Sequence, residues 1–158
     1  MLQERDLINN PARPQVSITR VFEAPIDLVF SMWTNAEYLA RWWGPKNNTN
    51  SACEMDARPG GAIKIVMQME DGLVVHVDGV FNEVSAPHRL VFTILKEGEA
   101  GKTGLEVLHT ITLTEADGKT TQIMKVIIVR SSPEFSTSCQ GMELGWNQSL
   151  DRLAEQLK

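Results

Sequence analysis

The middle of the chain alternates between apolar and polar residues over several consecutive segments, and this pattern restricts the fold more than any other feature. In the first segment, Ile63, Ile65, Met67 and Met69 alternate with Lys64, Val66 and Gln68. Further strand-like segments follow at 73–84, 90–95, 105–114 and 120–130, separated by turn signals such as Asp71-Gly72. The pattern predicts a sequential antiparallel meander.

The last part of the chain changes to a helical period. Apolar residues recur there at steps of three or four positions, which places them on one stripe of a helix. The stripe consists of Phe135, Cys139, Met142, Trp146, Leu150, Leu153 and Leu157. It predicts a long amphipathic helix that closes the chain and covers the apolar face of the sheet.

Small residues run beside this stripe at the same spacing, namely Ser138, Gly141, Gly145 and Ser149. A glycine inside a helix costs about 1 kcal/mol relative to alanine, so two of them require a compensating gain. Two explanations are open. Either the helix packs closely against the sheet, or the missing side chains leave room for a ligand.

Two short helices are predicted between an opening strand at 15–22 and the meander. Pro25 starts the first helix, because proline is tolerated at the first helical position. Asn35 can cap the second helix through its side-chain oxygen. Gly44-Pro45 ends that helix directly after Trp42-Trp43. This order of elements is typical of the α+β class.

One domain accounts for the length of the chain, because 158 residues can bury roughly two-thirds of their unfolded surface. We expect residues 1–14 to be a mobile leader, since they contain no continuous apolar stretch. We expect residues 15–158 to form a single domain.

Charge and cysteine content argue against several classes of function. The net charge of -5 comes from dispersed acidic residues, so no basic stripe indicates a nucleic-acid or membrane partner. Cys53 and Cys139 are far apart and belong to no CxxC motif, so no metal or redox site is expected. We predict a cytoplasmic protein without a cofactor.

Several motifs in this order resemble the family called activator of heat-shock-protein-90 ATPase homologue-like (the AHSA family). The family belongs to the START-like, or polyketide-cyclase-like (SRPBCC), superfamily. The motifs are Ala24-Pro25, Thr34-Asn35-Ala36-Glu37, Arg41-Trp42-Trp43-Gly44-Pro45, Asp56-x-Arg58-Pro59-Gly60-Gly61, Arg89-Leu90-Val91-Phe92-Thr93 and Gly145-Trp146. An ordered set of motifs is far more specific than any one of them.

The resemblance implies a helix-grip fold, in which a curved antiparallel sheet of about seven strands wraps around a long C-terminal helix and leaves a cavity between them. Superfamily relatives bind lipids, polyketides or other apolar molecules, and a minority catalyse cyclisation or dehydration. The chain departs from the commoner family pattern at Asn47-Asn48-Thr49-Asn50, which is polar.

Trp42 and Trp43 are candidates for an aromatic wall, since indoles offer a large and rigid contact area. The alternative is that they fill the core and cover the helix end. Adjacent residues on a helix point about 100° apart, so we expect at most one of them to face a cavity.

Further candidates for ligand contacts are Met67, Met69, Met124, Met142, Gly145, Trp146 and His109. Methionine adapts to irregular ligands, although it fills ordinary cores equally well. His76, Asp78 and His109 are candidates for acid–base catalysis, with an exposed pair and a buried core histidine as the alternatives. On the strand at 120–130, we expect Met124, Val126 and Ile128 to point inward, which leaves Lys125 in solvent.

These features favour non-catalytic binding of a small apolar molecule between the sheet and the closing helix. One alternative is a co-chaperone or protein-interaction module with a chaperone partner and a role in stress response. Another is a polyketide-cyclase-like or dehydratase-like enzyme. A homodimer is compatible with each alternative.

Overall fold

The structure, a computed structural model, describes residues 15–98, 103–135 and 139–158. Its sheet has seven antiparallel strands in the order β1-β7-β6-β5-β4-β3-β2. β3 to β7 form the predicted meander, β2 extends it at one edge, and β1 pairs with β7 at the other. The strands are β1 (Gln15–Phe22), β2 (Thr49–Met55), β3 (Ala62–Gln68), β4 (Val74–Ser85), β5 (Arg89–Glu97), β6 (Thr103–Ala116) and β7 (Lys119–Ser131).

The helices are α1 (Ile26–Thr34), α2 (Ala36–Leu39), a 3-10 helix (Pro133–Phe135) and α3 (Met142–Gln156). The carbonyl of Pro25 accepts hydrogen bonds from the first turn of α1. Asn35 caps α2 as predicted, because its Oδ1 accepts a hydrogen bond of 3.2 Å from the Tyr38 backbone amide. None of the helices among the described residues is both long and apolar enough to cross a membrane.

The hydrophobic core lies on the sheet face that meets the helices. Trp33, Trp42 and Phe81 are among its largest fully buried side chains. Met124 and Val126 point into this core, as predicted. Lys125, between them, lies on the opposite sheet face, because successive strand residues alternate.

The structure corrects three predictions. α2 ends at Leu39, with Ala40 as its C-cap, rather than at Gly44-Pro45, so Trp42 and Trp43 lie in the turn that follows the helix. β2 was not predicted, because it is an edge strand with a mixed polar sequence and only partial burial. The closing helix begins at Met142 rather than Phe135, since Gly141 occupies its N-cap position and Phe135 belongs to the separate 3-10 helix. The predicted leader at 1–14 and the small residue Ser138 lie outside the described residues.

Candidate ligand-binding site

A cavity of about 210 Å³ lies between the sheet and the first half of α3. Met67, Val77, Ile94, Leu105 and Val107 form its wall on the sheet. Trp43, Pro45, Met142, Trp146 and Ser149 form the opposite wall. Its lining is mostly apolar, and Lys96 and His109 add two ionisable side chains.

The two adjacent tryptophans lie in different environments. Trp43 lines the cavity and meets Trp146 edge to face, with ring centroids 5.2 Å apart and planes at 86°. Trp42 is completely buried, and its Nε1 donates a 3.0 Å hydrogen bond to the carbonyl of Met32. Trp42 is therefore not part of the wall of this cavity, and its ring fills the core. The expectation that at most one of the two indoles faces the cavity agrees with this arrangement.

A polar network holds the segment that carries Trp43 against α3. The guanidinium of Arg152 donates hydrogen bonds to the backbone carbonyls of Arg41, Trp43, Gly44, Pro45 and Asn48 and to the side chain of Asn48. Asn50 Nδ2 donates to the carbonyls of Ala40 and Trp43, at 2.8 and 2.9 Å. Asn50 and Arg152 thus supply donors for the carbonyl of Ala40, at the C-terminal end of α2, and for carbonyls of the turn that follows it.

Sequence reasoning missed Arg152, because a single arginine on a closing helix resembles an ordinary solvated residue. A signal was present in the asparagines at 47–50. A polar run directly after a Gly-Pro helix stop indicates side chains that replace backbone partners.

His109 is a buried polar group in the apolar wall. Only 3% of its surface is exposed, and its ring stacks on Phe92 with centroids 4.5 Å apart and planes at 6°. The ring of Trp146 lies edge to face with the imidazole, with ring centroids 5.5 Å apart. Nδ1 of His109 is sealed from solvent and makes no hydrogen bond within the described part of the chain.

Burial lowers the pKa of His109 to about 3, and the nearby backbone of Phe92 and Val107 offsets only part of this effect. The imidazole is therefore uncharged at neutral pH. A neutral ring contributes shape and weak polarity to the cavity, but it supplies no positive charge.

Lys96 is the second ionisable residue of the cavity wall, and it is half-buried. Burial lowers the pKa of its ammonium group, while the charge of Asp78 acts in the opposite direction. The alternation of residues on β5 could have placed Lys96 on the inward face of the sheet. The inward series Leu90, Phe92 and Ile94 on β5 reaches Lys96 at the next step of two residues.

Gly145 borders open space. A Cβ atom built on this residue would meet no heavy atom within 4 Å outside its immediate surroundings. Gly145 shares its helix face with Met142 and Ser149, which line the cavity. Close packing therefore does not explain this glycine. Room for a ligand at this position stays a prediction, because Gly145 is partly exposed and is not among the residues that line the cavity.

The remaining candidates do not converge on the cavity. Met124 is buried in the core, and Met69 lies beyond the end of β3 and outside the cavity wall. Val77 faces the cavity, so its neighbours His76 and Asp78 point to the opposite face of the sheet, where they are exposed. Within the described ranges, no cluster of His, Cys, Asp or Glu could hold a metal ion.

A seven-stranded antiparallel sheet that wraps a C-terminal helix, with a cavity between the two, defines a helix-grip protein. A family model described as "Activator of Hsp90 ATPase homolog 1-like protein" matches residues 23–158. The chain belongs to this family. The family assignment and the α+β helix-grip fold predicted from the sequence are thereby confirmed.

Solved structures of similar proteins support the fold. A Nitrosomonas europaea protein is 25% identical, with 89% of this chain and 92% of that chain covered and a TM-score of 0.72. An AHSA1 protein from Silicibacter pomeroyi is 24% identical, with 91% and 97% covered and a TM-score of 0.74. A Mycobacterium smegmatis protein is 22% identical, with 91% and 90% covered and a TM-score of 0.75. No curated protein gives a match.

Proposed function

We propose that this protein binds a small, largely apolar molecule in the cavity and does not alter it chemically. The observation that carries the proposal is the mostly apolar cavity of about 210 Å³. An apolar cavity of about 150 Å³ is sufficient to bind benzene, so this one has room for a ring compound. Membership of the family supports a ligand-binding or co-chaperone-like module.

The indoles of Trp43 and Trp146 provide the contact surface for such a molecule. Their edge-to-face arrangement is one of the favoured geometries of aromatic pairs. The Arg152 network fixes the Trp43 segment, so little conformational entropy is lost when a ligand binds. Gly145 lies on the same face of α3 as Met142 and Ser149, which line the cavity, and a Cβ atom there would meet no heavy atom within 4 Å.

The positions of the titratable candidates favour binding over catalysis. His109 lies within the cavity wall, whereas His76 and Asp78 lie on the other sheet face. These three side chains therefore cannot act together on one bound substrate.

A fluorescence titration with 1-naphthylamine, an apolar two-ring dye that is uncharged at neutral pH, tests the proposal. We expect saturable binding by the wild-type chain. Gly145→Leu should abolish binding while the thermal unfolding transition persists, because the leucine side chain fills space that is empty in the structure. Gly145→Ala is the matched control and should retain binding. A wild-type chain that does not bind the dye, or a Gly145→Leu chain that binds it normally, contradicts the proposal.

A co-chaperone role is the second candidate, and the family description favours it. It predicts that the purified chain increases the ATPase rate of a heat-shock-protein-90 homologue. An unchanged ATPase rate, with no complex detected at micromolar concentrations, would exclude this role and leave the cavity proposal untouched.

A further inference from the structure

Among the described residues, the cavity wall contains one side chain that is charged at neutral pH. Lys96 lines the cavity near Ile94 and Leu105, on the end of β5. The other ionisable side chain of the wall, His109, is uncharged because its pKa is about 3. The wall therefore presents a single positive charge in mostly apolar surroundings.

The ammonium group of Lys96 has no ion-pair partner within the described part of the chain. Asp78 is close enough to stabilise this charge electrostatically. However, Asp78 is the cross-strand partner of Leu95, so it lies on the sheet face opposite to that of Lys96. Desolvation without a partner is unfavourable for an ammonium group. An anionic group inside the cavity would supply the missing partner.

Resting on the proposed function, we propose that the bound molecule is a small apolar acid whose single anionic group contacts Lys96. Its apolar body lies against Trp43 and Trp146, and its negative end points toward β5. The cavity volume restricts the body to about one or two rings, by comparison with the cavity of about 150 Å³ that holds benzene.

The alternative role for Lys96 is purely structural. A lysine can bury its aliphatic stem on apolar surface while the ammonium group remains in water. In that case the charge contributes nothing to binding. The two roles differ in a measurable way, because only the first makes the protein prefer an acid over an uncharged molecule of the same shape.

Calorimetric titration at neutral pH with 2-naphthoate and its uncharged isostere 2-naphthamide distinguishes these roles. We expect wild-type protein to bind 2-naphthoate about tenfold more tightly than 2-naphthamide, as expected for one charge-assisted hydrogen bond. Lys96→Met keeps the apolar stem and should remove the preference by weakening 2-naphthoate alone. Lys96→Arg should retain it. Lys125→Met, on the opposite sheet face, is the matched control and should leave both affinities unchanged.

The outcomes separate this inference from the proposed function. If neither compound binds the wild-type chain, the cavity proposal itself fails. If both bind with equal affinity, or if Lys96→Met leaves the preference intact, the cavity binds ligands but the anionic specificity is wrong. Circular dichroism spectra of the variants, unchanged from wild type, establish that the affinities are those of folded proteins.

Discussion

The two ends of the interior beneath the helices differ in how completely they are filled. At the packed end, Trp33 and Trp42 meet edge to face at 4.7 Å, and both are almost completely buried. At the open end, Trp43 and Trp146 meet at a similar distance of 5.2 Å but border an unfilled cavity. The same type of aromatic contact therefore serves as core in one place and as cavity wall in the other.

Hydrogen bonds anchor the indoles of the packed end, but they do not distinguish the two ends. Trp33 Nε1 donates to Gln122 Oε1 at 2.8 Å, and Trp42 Nε1 donates to the carbonyl of Met32. Buried indoles at the packed end are thus anchored at their polar atoms. At the open end, Nδ1 of His109 lacks a partner among the described residues. At the packed end, Nε2 of Gln122 is likewise buried without a partner among the described residues. Each end therefore contains an unpaired buried polar atom, and the two ends differ in packing rather than in hydrogen bonding.

Truncation of the packed end should have the largest effect. We expect Trp42→Ala to lower the free energy of unfolding by about 3–5 kcal/mol, since it removes a fully buried indole and its hydrogen bond. Trp146→Ala should cost less, roughly 1–2 kcal/mol, because its ring already borders empty space. Urea denaturation measures both values. Equal losses would mean that the two ends are packed alike.

Acid should destabilise the open end through His109. This side chain stays uncharged in the folded protein down to a pKa of about 3 but takes up a proton near pH 6.5 in the unfolded chain. Between these values the unfolded state binds more protons, so stability falls as pH falls. By about pH 5 the loss should reach about 2 kcal/mol relative to neutral pH.

His109→Phe should remove this part of the pH dependence. Phenylalanine preserves the stack on Phe92 and eliminates the unpaired Nδ1. Urea denaturation of both chains at neutral pH and near pH 5 gives the comparison. The same loss of stability in the variant as in wild type would show that other groups cause the acid sensitivity.

Loss of the Arg152 network should loosen one wall of the open end. We expect Arg152→Met to lower the free energy of unfolding by about 1–2 kcal/mol, because several carbonyls after α2 lose their hydrogen-bond donor. Methionine keeps the contacts of the aliphatic part of the arginine side chain. Hydrogen exchange should increase selectively at residues 41–50. Unchanged exchange there would indicate that Asn50 alone holds the segment, which Asn50→Ala would then test.

The smallest expected effect is a gain of stability. Gly145→Ala should stabilise the chain by about 1 kcal/mol, because alanine favours the helix and its Cβ meets open space. Thermal unfolding measures the change. A loss of stability would indicate that Gly145 is closely packed. The open end would then be packed as tightly as the packed end.

Much of the fold could be predicted because its strands have buried and exposed faces that alternate. The strands at 63–69, 105–114 and 120–130 were found in this way, each within two residues of the observed ends. β2 escaped prediction because an edge strand buries little and its residues are mostly polar. The start of α3 escaped because the apolar spacing continues across Gly141, where the helix itself begins.

The candidate site was harder to predict than the fold. Sequence placed Trp42 and Trp43 at a helix end, but only the three-dimensional arrangement shows which indole meets the cavity. Lys96 and Arg152 were missed since each is a single charged residue within a regular element. The two-residue spacing on β5 indicates the inward face of Lys96, and the polar run at 47–50 indicates side chains that replace backbone partners. Neither pattern shows that Lys96 borders a cavity or that Arg152 is the donor, because both depend on neighbours that are distant in the chain.

The hydrogen bonds of Arg152 have a mechanical consequence for access to the cavity. They tie the loop that carries Trp43 to the helix that carries Trp146, so the two indoles belong to one rigid unit. Any hinge movement that lifts α3 would pull the loop with it. The same loop is also hydrogen-bonded to the sheet, because Asn50 of β2 donates to the carbonyls of Ala40 and Trp43. Wider access to the cavity would therefore require the loss of one of these two sets of hydrogen bonds, and not only a rotation of one ring.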